Sequence, residues 1–114
     1  MPKYDLEERT AKLGEKVIRF AKKLPRNEIN KPLIYQLVKS ANSIGANYCE
    51  ADDAESKKDF RHKIGICKKE ARETKHFLRM IATSVPDQKE DCKELWQEAK
   101  ELNLIFNKIY SKTK

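Results

Sequence analysis

The sequence predicts an all-α protein that forms an antiparallel up-down-up-down four-helix bundle, a single domain covering residues 1–114. Apolar residues recur in steps of three and four along four segments, which is the period of one helix face turned toward a core. Proline or short polar stretches separate these segments, so the connecting loops are only a few residues long. Four such helices with short loops are typical of an antiparallel bundle, and no segment shows the alternating pattern of a strand.

The first two predicted helices cover residues of about 5–24 and 32–51. Their apolar positions are, in order, Leu6, Thr10, Leu13, Val17, Phe20 and Leu24, then Ile34, Leu37, Ala41, Ile44 and Tyr48. Pro25 ends the first helix because proline has no N–H to donate to the preceding turn. Pro32 suits the first turn of the second helix, where a missing N–H leaves no hydrogen bond unmade.

The third and fourth predicted helices cover residues of about 56–83 and 87–110. Their apolar positions are Phe60, Ile64, Cys67, Ala71, Thr74, Leu78 and Ile81, then Cys92, Leu95, Ala99, Leu102, Phe106 and Ile109. Ser56 stands three residues before Asp59, which is the spacing of a helix N-cap. Pro86 closes the third helix, and Asp87 is the expected cap of the fourth.

A second line of side chains on the second helix is polar but uncharged until its last residue. It comprises Gln36, Ser40, Ser43, Asn47 and Glu50. Serine, asparagine and Gly45 are mediocre helix formers, so close packing against a neighbouring helix explains them better than helix propensity does. A buried Asn47 or Glu50 would need hydrogen-bonding partners from other helices or other copies of the chain. We therefore expect the other helices to be arranged around this one.

The same segment resembles a known family. The residues that carry the resemblance are Ser43-Ile44-Gly45-Ala46-Asn47-Tyr48-Cys49-Glu50-Ala51, followed by Ser56 and Asp59-Phe60. They are similar to the signature of the 23S rRNA-intervening sequence proteins, four-helix-bundle proteins that are also labelled S23 ribosomal protein. In that family the reading frame often lies inside an insertion in the large-subunit ribosomal RNA gene. Two departures are that Tyr48-Cys49 replaces Ile-Ala and that Ala51 replaces the usual glycine.

The resemblance implies a bacterial protein that assembles into a ring-like homo-oligomer, with a homopentamer as the expected form. It also implies structural or interface roles for Lys39, Ser43, Asn47, Glu50 and Glu73. Similar barrels are formed by the accessory subunits of diversity-generating retroelements, which bind a reverse transcriptase and nucleic acid. The resemblance therefore favours nucleic-acid binding, while the ribosomal label reports where the genes lie and not a place in the ribosome.

The chain carries a formal net charge of +7 that is unevenly spread. Residues 1–26, 57–86 and 102–114 are net positive, and residues 27–56 and 87–101 are net negative. The basic residues predicted to bind RNA or DNA lie mostly off the apolar positions: Lys12, Lys16, Arg19, Lys22, Lys23, Arg61, Lys68, Lys69, Arg72, Lys75 and Arg79. Clustered cations attract phosphates without reading sequence.

A scaffold that only self-assembles is the alternative function. A solvated helix face is normally rich in lysine and glutamate, so the basic helices of one copy would meet the acidic helices of the next. A third possibility, a bundle that holds a small ligand or metal, needs polar groups from at least three helices converging inside the core. The two leading hypotheses are therefore a nucleic-acid-binding oligomer and a scaffold.

Nothing in the sequence favours an enzyme or a cofactor. The three glycines form no phosphate-binding loop, and the Glu73 and His76 pair lacks the second such pair from another helix that a di-iron site needs. The three cysteines fit reduced thiols of a cytoplasmic protein. No apolar run is long enough to cross a bilayer and no signal peptide is present, so we expect a cytoplasmic protein without a membrane or a small-molecule substrate as partner.

Overall fold

The computed structural model describes residues 5–114, which form four α-helices and one short 3-10 helix but no strand. The elements are α1 (Leu6–Lys22), α2 (Asn30–Asp52), α3 (Lys57–Ser84), a 3-10 helix (Pro86–Gln88) and α4 (Lys89–Lys112). The all-α prediction is confirmed. The first four residues of the predicted domain lie outside the described part of the chain.

The helix ends follow local hydrogen-bonding chemistry. Ser56 Oγ accepts a hydrogen bond of 3.0 Å from the backbone N–H of Asp59, as the N-cap spacing predicts. The N-terminus of α2 lies two residues earlier than expected, because the side-chain oxygen of Asn27 accepts from the backbone N–H groups of Ile29 and Asn30 at 3.0 and 2.8 Å. Asp87 does not cap α4, since it lies inside the 3-10 helix that leads into it.

The helices enclose one core to which all four contribute. Each helix contacts the next one along the chain. Helix α1 also contacts α4, and this is the least extensive of the four helix–helix contacts. The largest fully buried side chains include Leu13 on α1, Leu37 on α2, Ile64 on α3 and Phe106 on α4. These residues belong to the apolar steps of three and four, so the periodicity identified the core.

A close approach of two helices occurs where α1 meets α2. A Cβ atom on Gly45 would lie 3.2 Å from the hydroxyl of Thr10, and Thr10 is itself held by a 2.7 Å hydrogen bond to the carbonyl of Leu6. On the facing helix, Gly14 lies against the side chain of Asn42. The prediction that small residues on the second helix permit close packing is therefore confirmed at Gly45.

The packing of α2 against α3 includes a buried polar contact. The hydroxyl of Thr74 lies 3.0 Å from that of Ser40 and also donates to the carbonyl of Glu70 at 2.8 Å. These hydroxyls are satisfied by each other and by backbone, so their burial costs little. In the described residues no helix combines the length and apolar character needed to cross a membrane.

Candidate nucleic-acid interface

The side chains of α4 separate into two edges, one on each side of the buried line. The acidic edge faces α1 and comprises Asp91, Glu94, Glu98 and Glu101. The aromatic edge faces α3 and comprises Trp96, Lys100, Asn103 and Tyr110. Both edges arise from the helical period, because each set recurs in steps of three, four or seven residues. The acidic edge therefore places carboxylates beside basic α1, and the aromatic edge places aromatic rings beside basic α3.

At the acidic edge, the carboxylates pair with cations of α1. Arg9 binds Glu98 through two hydrogen bonds of 2.8 and 2.9 Å and Glu101 through a third of 2.7 Å. Lys23 forms a 2.7 Å ion pair with Asp91. Hydrogen bonds from Gln97 and then Arg9 lower the pKa of Glu101, so this carboxylate is held in its charged form.

A groove of about 730 Å³ separates α1 from α4 and extends from the Arg9 ion pairs to the Lys23 ion pair. Its basic wall includes Lys12, Lys16 and Arg19, and its acidic wall includes Glu94. Lys12 lies 3.8 Å from Glu8 of its own helix. A phosphate entering this groove would meet carboxylates as well as cations, so the positive field of α1 is weakened where it faces α4.

At the aromatic edge, α3 and α4 form a ladder of three contacts, which we call the α3–α4 ladder. Its rungs are Arg61 with Tyr110, Lys68 with Asn103, and Lys75 with Trp96. The contacts advance in steps of seven residues along α3 and step back by seven along α4, and each step is about 10 Å at 1.5 Å per residue. None of the three cations lies within ion-pair distance of a carboxylate in residues 5–114.

Tyr110 fixes the cation at one end of the ladder. The guanidinium carbon of Arg61 lies 3.7 Å from the centre of the tyrosine ring, and its Nη1 donates a 3.0 Å hydrogen bond to the phenol oxygen. The ammonium of Lys68 lies 4.4 Å from the same ring centre. A Cβ on Gly65 would lie 3.1 Å from the ring, so this glycine makes room for Tyr110. Arg61 is therefore positioned before any ligand arrives.

The other end of the ladder is looser. The ammonium groups of Lys75 and Lys100 each lie 5.6 Å from the centre of the Trp96 ring, and Trp96 is half-buried. In the middle, Asn103 donates a 2.8 Å hydrogen bond to the backbone carbonyl of Lys68 and ties the two helices together. The indole thus lies between two lysines on flexible side chains, one from each helix.

The remaining basic residues predicted to bind nucleic acid are not brought into the ladder. Lys22 and Arg79 are exposed on α1 and α3. Lys69 and Arg72 line a shallow depression on the α2 side of α3, together with Glu73. The structure therefore brings together three of the eleven predicted cations and leaves Lys12, Lys16, Arg19 and Lys23 opposite the acidic edge.

The residues predicted to have structural or interface roles lie on the α2 and α3 side of the bundle. Half-buried Asn47 donates hydrogen bonds of 2.9 Å to the carbonyl and the hydroxyl of Ser43. Glu50 is exposed and forms a 2.6 Å ion pair with Lys63 of α3. Lys39 is exposed and lies 6.0 Å from the ring of Tyr35. These contacts are internal to one copy, and the interface roles stay predictions.

Within residues 5–114, Glu73 has no cation within ion-pair distance, and its neighbour Glu70 is also acidic. It contributes to the raised pKa of Glu70, whose main cause is burial of that carboxyl on the α2 side of α3. The described residues contain no group of three or more His, Cys, Asp or Glu side chains arranged to hold a metal ion. Burial raises the pKa of Cys67 to about 12 and of Cys92 to about 11, so neither thiol is a ready nucleophile near neutral pH.

Sequence reasoning missed the aromatic edge. Trp96 and Tyr110 lie beside the apolar line of α4 and were not recognised as surface aromatics available to a ligand. The available signal was their shared seven-residue spacing with Asn103, matched by Arg61, Lys68 and Lys75 on α3. Two sets at the same spacing on neighbouring helices predict side chains that meet at regular intervals.

Comparison with known proteins identifies a family and a similar solved structure. The sequence model of the 23S rRNA-intervening sequence protein family matches residues 3–108. Among solved structures, the chain is similar to a protein of unknown function from the S23 ribosomal protein family of Bacteroides thetaiotaomicron, with 26% sequence identity and a TM-score of 0.79. That match covers 91% of this chain and 96% of the other. Among curated proteins no sequence matches. The resemblance carried by residues 43–51 is thereby confirmed.

Proposed function

We propose that the chain, which belongs to the 23S rRNA-intervening sequence protein family, is a non-enzymatic, self-associating protein of the bacterial cytoplasm that binds RNA or DNA without sequence preference. The observation that carries the proposal is the α3–α4 ladder, where Arg61, Lys68 and Lys75 lie without a carboxylate partner among residues 5–114. Cations in a row neutralise successive phosphates and release their counterions, which drives sequence-independent binding.

The ladder suits phosphate better than the α1 face does. A lysine or arginine that is already paired must separate from its carboxylate before it binds a phosphate, and the carboxylate left behind then repels the ligand. Arg9 and Lys23 are paired in this way with the acidic edge. We therefore assign the binding surface to the α3–α4 ladder, with Lys100 extending it, and not to α1.

The proposed architecture is an up-down-up-down bundle that assembles into a homopentamer. Support for the topology comes from the order of the contacts: residues 61, 68 and 75 meet residues 110, 103 and 96, and residues 9 and 23 meet residues 98 and 91. The number of copies rests on the family resemblance. Five ladders in one assembly would raise the affinity for a long strand through multivalency.

Anisotropy of a labelled oligonucleotide of mixed sequence tests the proposal. Each ladder that binds would neutralise three phosphates. A plot of log affinity against log salt concentration should therefore have a slope near −2 to −3 for each ladder, at about 0.7–0.9 per cation. The Lys68→Gln, Lys75→Gln and Lys100→Gln triple variant should lose about tenfold or more in affinity. The control triple variant Lys12→Gln, Lys16→Gln and Arg19→Gln removes the same net charge and should lose less than about threefold. An absence of binding at low salt by a helical wild-type protein would refute the proposal.

A scaffold that binds no nucleic acid is the second candidate. It is favoured by one observation, namely that the charges of basic α1 and acidic α4 are complementary, as the Arg9 and Lys23 ion pairs within one copy show. The groove between them also retains Lys16, Arg19 and Glu94 for contacts with a second copy. Light scattering at low and high salt separates the candidates, because a scaffold built on these charges would dissociate as salt rises and would show no anisotropy change with the oligonucleotide.

A further inference from the structure

The two ends of the α3–α4 ladder offer different chemistry to a ligand. At one end Arg61 is held against the Tyr110 ring at 3.7 Å and hydrogen-bonded to its hydroxyl, so the ring face toward Arg61 is already covered. At the other end the two ammonium groups lie 5.6 Å from the centre of Trp96, so neither is in close contact with the ring or hydrogen-bonded to it. The first end is a cation held by a ring, and the second is an aromatic ring with two cations near it.

We propose that the α3–α4 ladder binds single-stranded nucleic acid, with a nucleobase stacked on Trp96 and the flanking phosphates held by Lys75 and Lys100. This inference rests on the proposed function and names the class of nucleic acid. A base in a duplex is already stacked on its neighbours and cannot cover a side-chain ring, whereas an unpaired base can. Duplex binding would use the cations alone.

The length of the ladder sets the size of the strand. Trp96 and Tyr110 are fourteen residues apart on α4, which is about 21 Å at 1.5 Å per residue. At a stacked rise of about 3.4 Å per nucleotide this distance corresponds to about six nucleotides. A strand of that length stacked on Trp96 would place a phosphate at Arg61, whose guanidinium is presented by Tyr110. The ammonium of Lys68, which lies 4.4 Å from the centre of the Tyr110 ring, contacts the strand at the same end as Arg61.

The recognition is indifferent to base identity. Each nucleobase has a flat π face, and Asn103, the amide in the middle of the ladder, already uses its Nδ2 to donate to the carbonyl of Lys68. The ladder therefore presents cations at both ends and the Trp96 ring at one, and Asn103 is buried, so it directs no donor and acceptor pair at a base edge. This agrees with binding that does not read sequence.

Trp96 is the only tryptophan of the chain, so its fluorescence reports the site directly. The wild-type protein is titrated with a twelve-nucleotide single strand of mixed sequence, with a hairpin duplex carrying the same number of phosphates, and with heparin, which has charge but no bases. Binding of the labelled strand is measured in parallel by anisotropy. We expect the single strand to quench Trp96 strongly, and the duplex and heparin to bind without comparable quenching.

Variants separate stacking from charge. Trp96→Ala should lower the affinity for the single strand about tenfold or more while leaving the salt slope unchanged, because no cation is removed. Trp96→Phe keeps a flat ring and should lose less than about threefold; it also serves if the alanine variant fails to fold. Tyr35→Ala is the matched control, since Tyr35 is an exposed aromatic beside Lys39 on a different helix, and it should bind as wild type.

The outcomes distinguish this inference from the proposed function beneath it. Equal affinity for the duplex and the single strand, an unquenched Trp96, or quenching by heparin as strong as by the strand would overturn the stacking inference and leave phosphate binding in place. No binding of any polyanion at low salt by folded protein would overturn both. If the single strand quenches Trp96 in the wild type but the salt slope of Trp96→Ala differs from that of the wild type, the variant has displaced Lys75 or Lys100. That result would also count against stacking.

Discussion

The acidic edge and the aromatic edge of α4 have opposite effects on the charge of the basic helix beside each of them. Toward α1, Arg9 and Lys23 are bound by carboxylates at 2.7–2.9 Å. Toward α3, Arg61 and Lys68 of the α3–α4 ladder lie against the ring of Tyr110 and Lys75 lies near that of Trp96, and neither ring carries a charge. Both helices are basic in the sequence, but the cations of α1 that face α4 lie beside carboxylates, whereas the ladder cations of α3 have none within ion-pair distance in residues 5–114. The side chains on the facing helix decide whether a basic helix attracts phosphate.

The difference concerns binding more than folding. An exposed ion pair contributes about 0–1 kcal/mol to stability, so the acidic edge adds little to the folded state. The same carboxylates act at full strength on an approaching phosphate, which has to displace them or be repelled by them. The aromatic edge holds its cations by cation–π contacts of about 0.5–1 kcal/mol at exposed sites and adds no negative charge. Four predictions follow from this contrast, from the largest effect to the smallest.

Neutralising the acidic edge should convert α1 into a second binding face. In the Glu94→Gln, Glu98→Gln and Glu101→Gln triple variant we expect the affinity for an oligonucleotide at low salt to rise about tenfold, about 1.4 kcal/mol, with a salt slope steeper by one to two. Anisotropy titrations across salt concentrations measure both quantities. The variant frees Arg9 and surrounds Lys16 with neutral side chains.

The control for this variant removes the same three charges elsewhere. Glu28, Asp53 and Glu55 are exposed, lie in the loops and do not line the groove between α1 and α4. If Glu28→Gln, Asp53→Asn and Glu55→Gln together raise the affinity as much as the acidic-edge variant does, then net charge and not its placement controls binding. In that case the contrast between the two edges loses its functional meaning.

The two ion pairs of the acidic edge should differ in strength. Arg9→Met removes three hydrogen bonds to two carboxylates and should lower the free energy of unfolding by about 1 kcal/mol, whereas Lys23→Met removes one exposed contact and should cost less than about 0.5 kcal/mol. Urea unfolding followed by circular dichroism measures both. Equal losses would mean that the forked geometry of Arg9 adds nothing.

Acid should abolish the advantage of Arg9. The folded pKa of Glu101 lies below the ordinary value of 4.5, so its contribution to stability is present above that value and is lost as the pH falls through the lowered pKa. The difference in unfolding free energy between wild type and Arg9→Met should therefore shrink below about pH 4.5. A difference that stays constant down to pH 3 would mean that Arg9 acts through packing of its aliphatic stem.

The core and the helices could be predicted from the sequence because their signals are local and repeated. Apolar steps of three and four identify Leu13, Leu37, Ile64 and Phe106, and each is fully buried. The N-cap at Ser56 is likewise a property of four consecutive residues. Where a competing local structure exists, the prediction fails, as at Asp87, which enters a 3-10 helix instead of capping α4.

The candidate interface could be predicted only in part, because it depends on which helix lies beside which edge. The distribution of charge along the sequence predicted that Lys16 and Lys68 would both bind nucleic acid. In the structure Lys16 faces the acidic edge, whereas Lys68 faces Tyr110 and Asn103. That distinction is a property of the packed pair of helices and not of either one alone. Trp96 was overlooked for a similar reason, since a residue beside a buried line becomes a surface aromatic only when the neighbouring side chains leave its ring accessible.

The smallest effect tests which contact of Tyr110 holds Arg61. Tyr110→Phe removes the hydroxyl that accepts from Nη1 but keeps the ring 3.7 Å from the guanidinium, so the unfolding free energy should fall by no more than about 0.5 kcal/mol. The affinity for nucleic acid should be unchanged, because Gly65 still leaves space for the ring and the ring still fixes the cation. Tyr110→Leu, which removes the π face, should lower that affinity several-fold. If the phenylalanine variant binds as weakly as the leucine variant, the hydrogen bond positions Arg61, and the aromatic edge acts through its polar atoms as the acidic edge does.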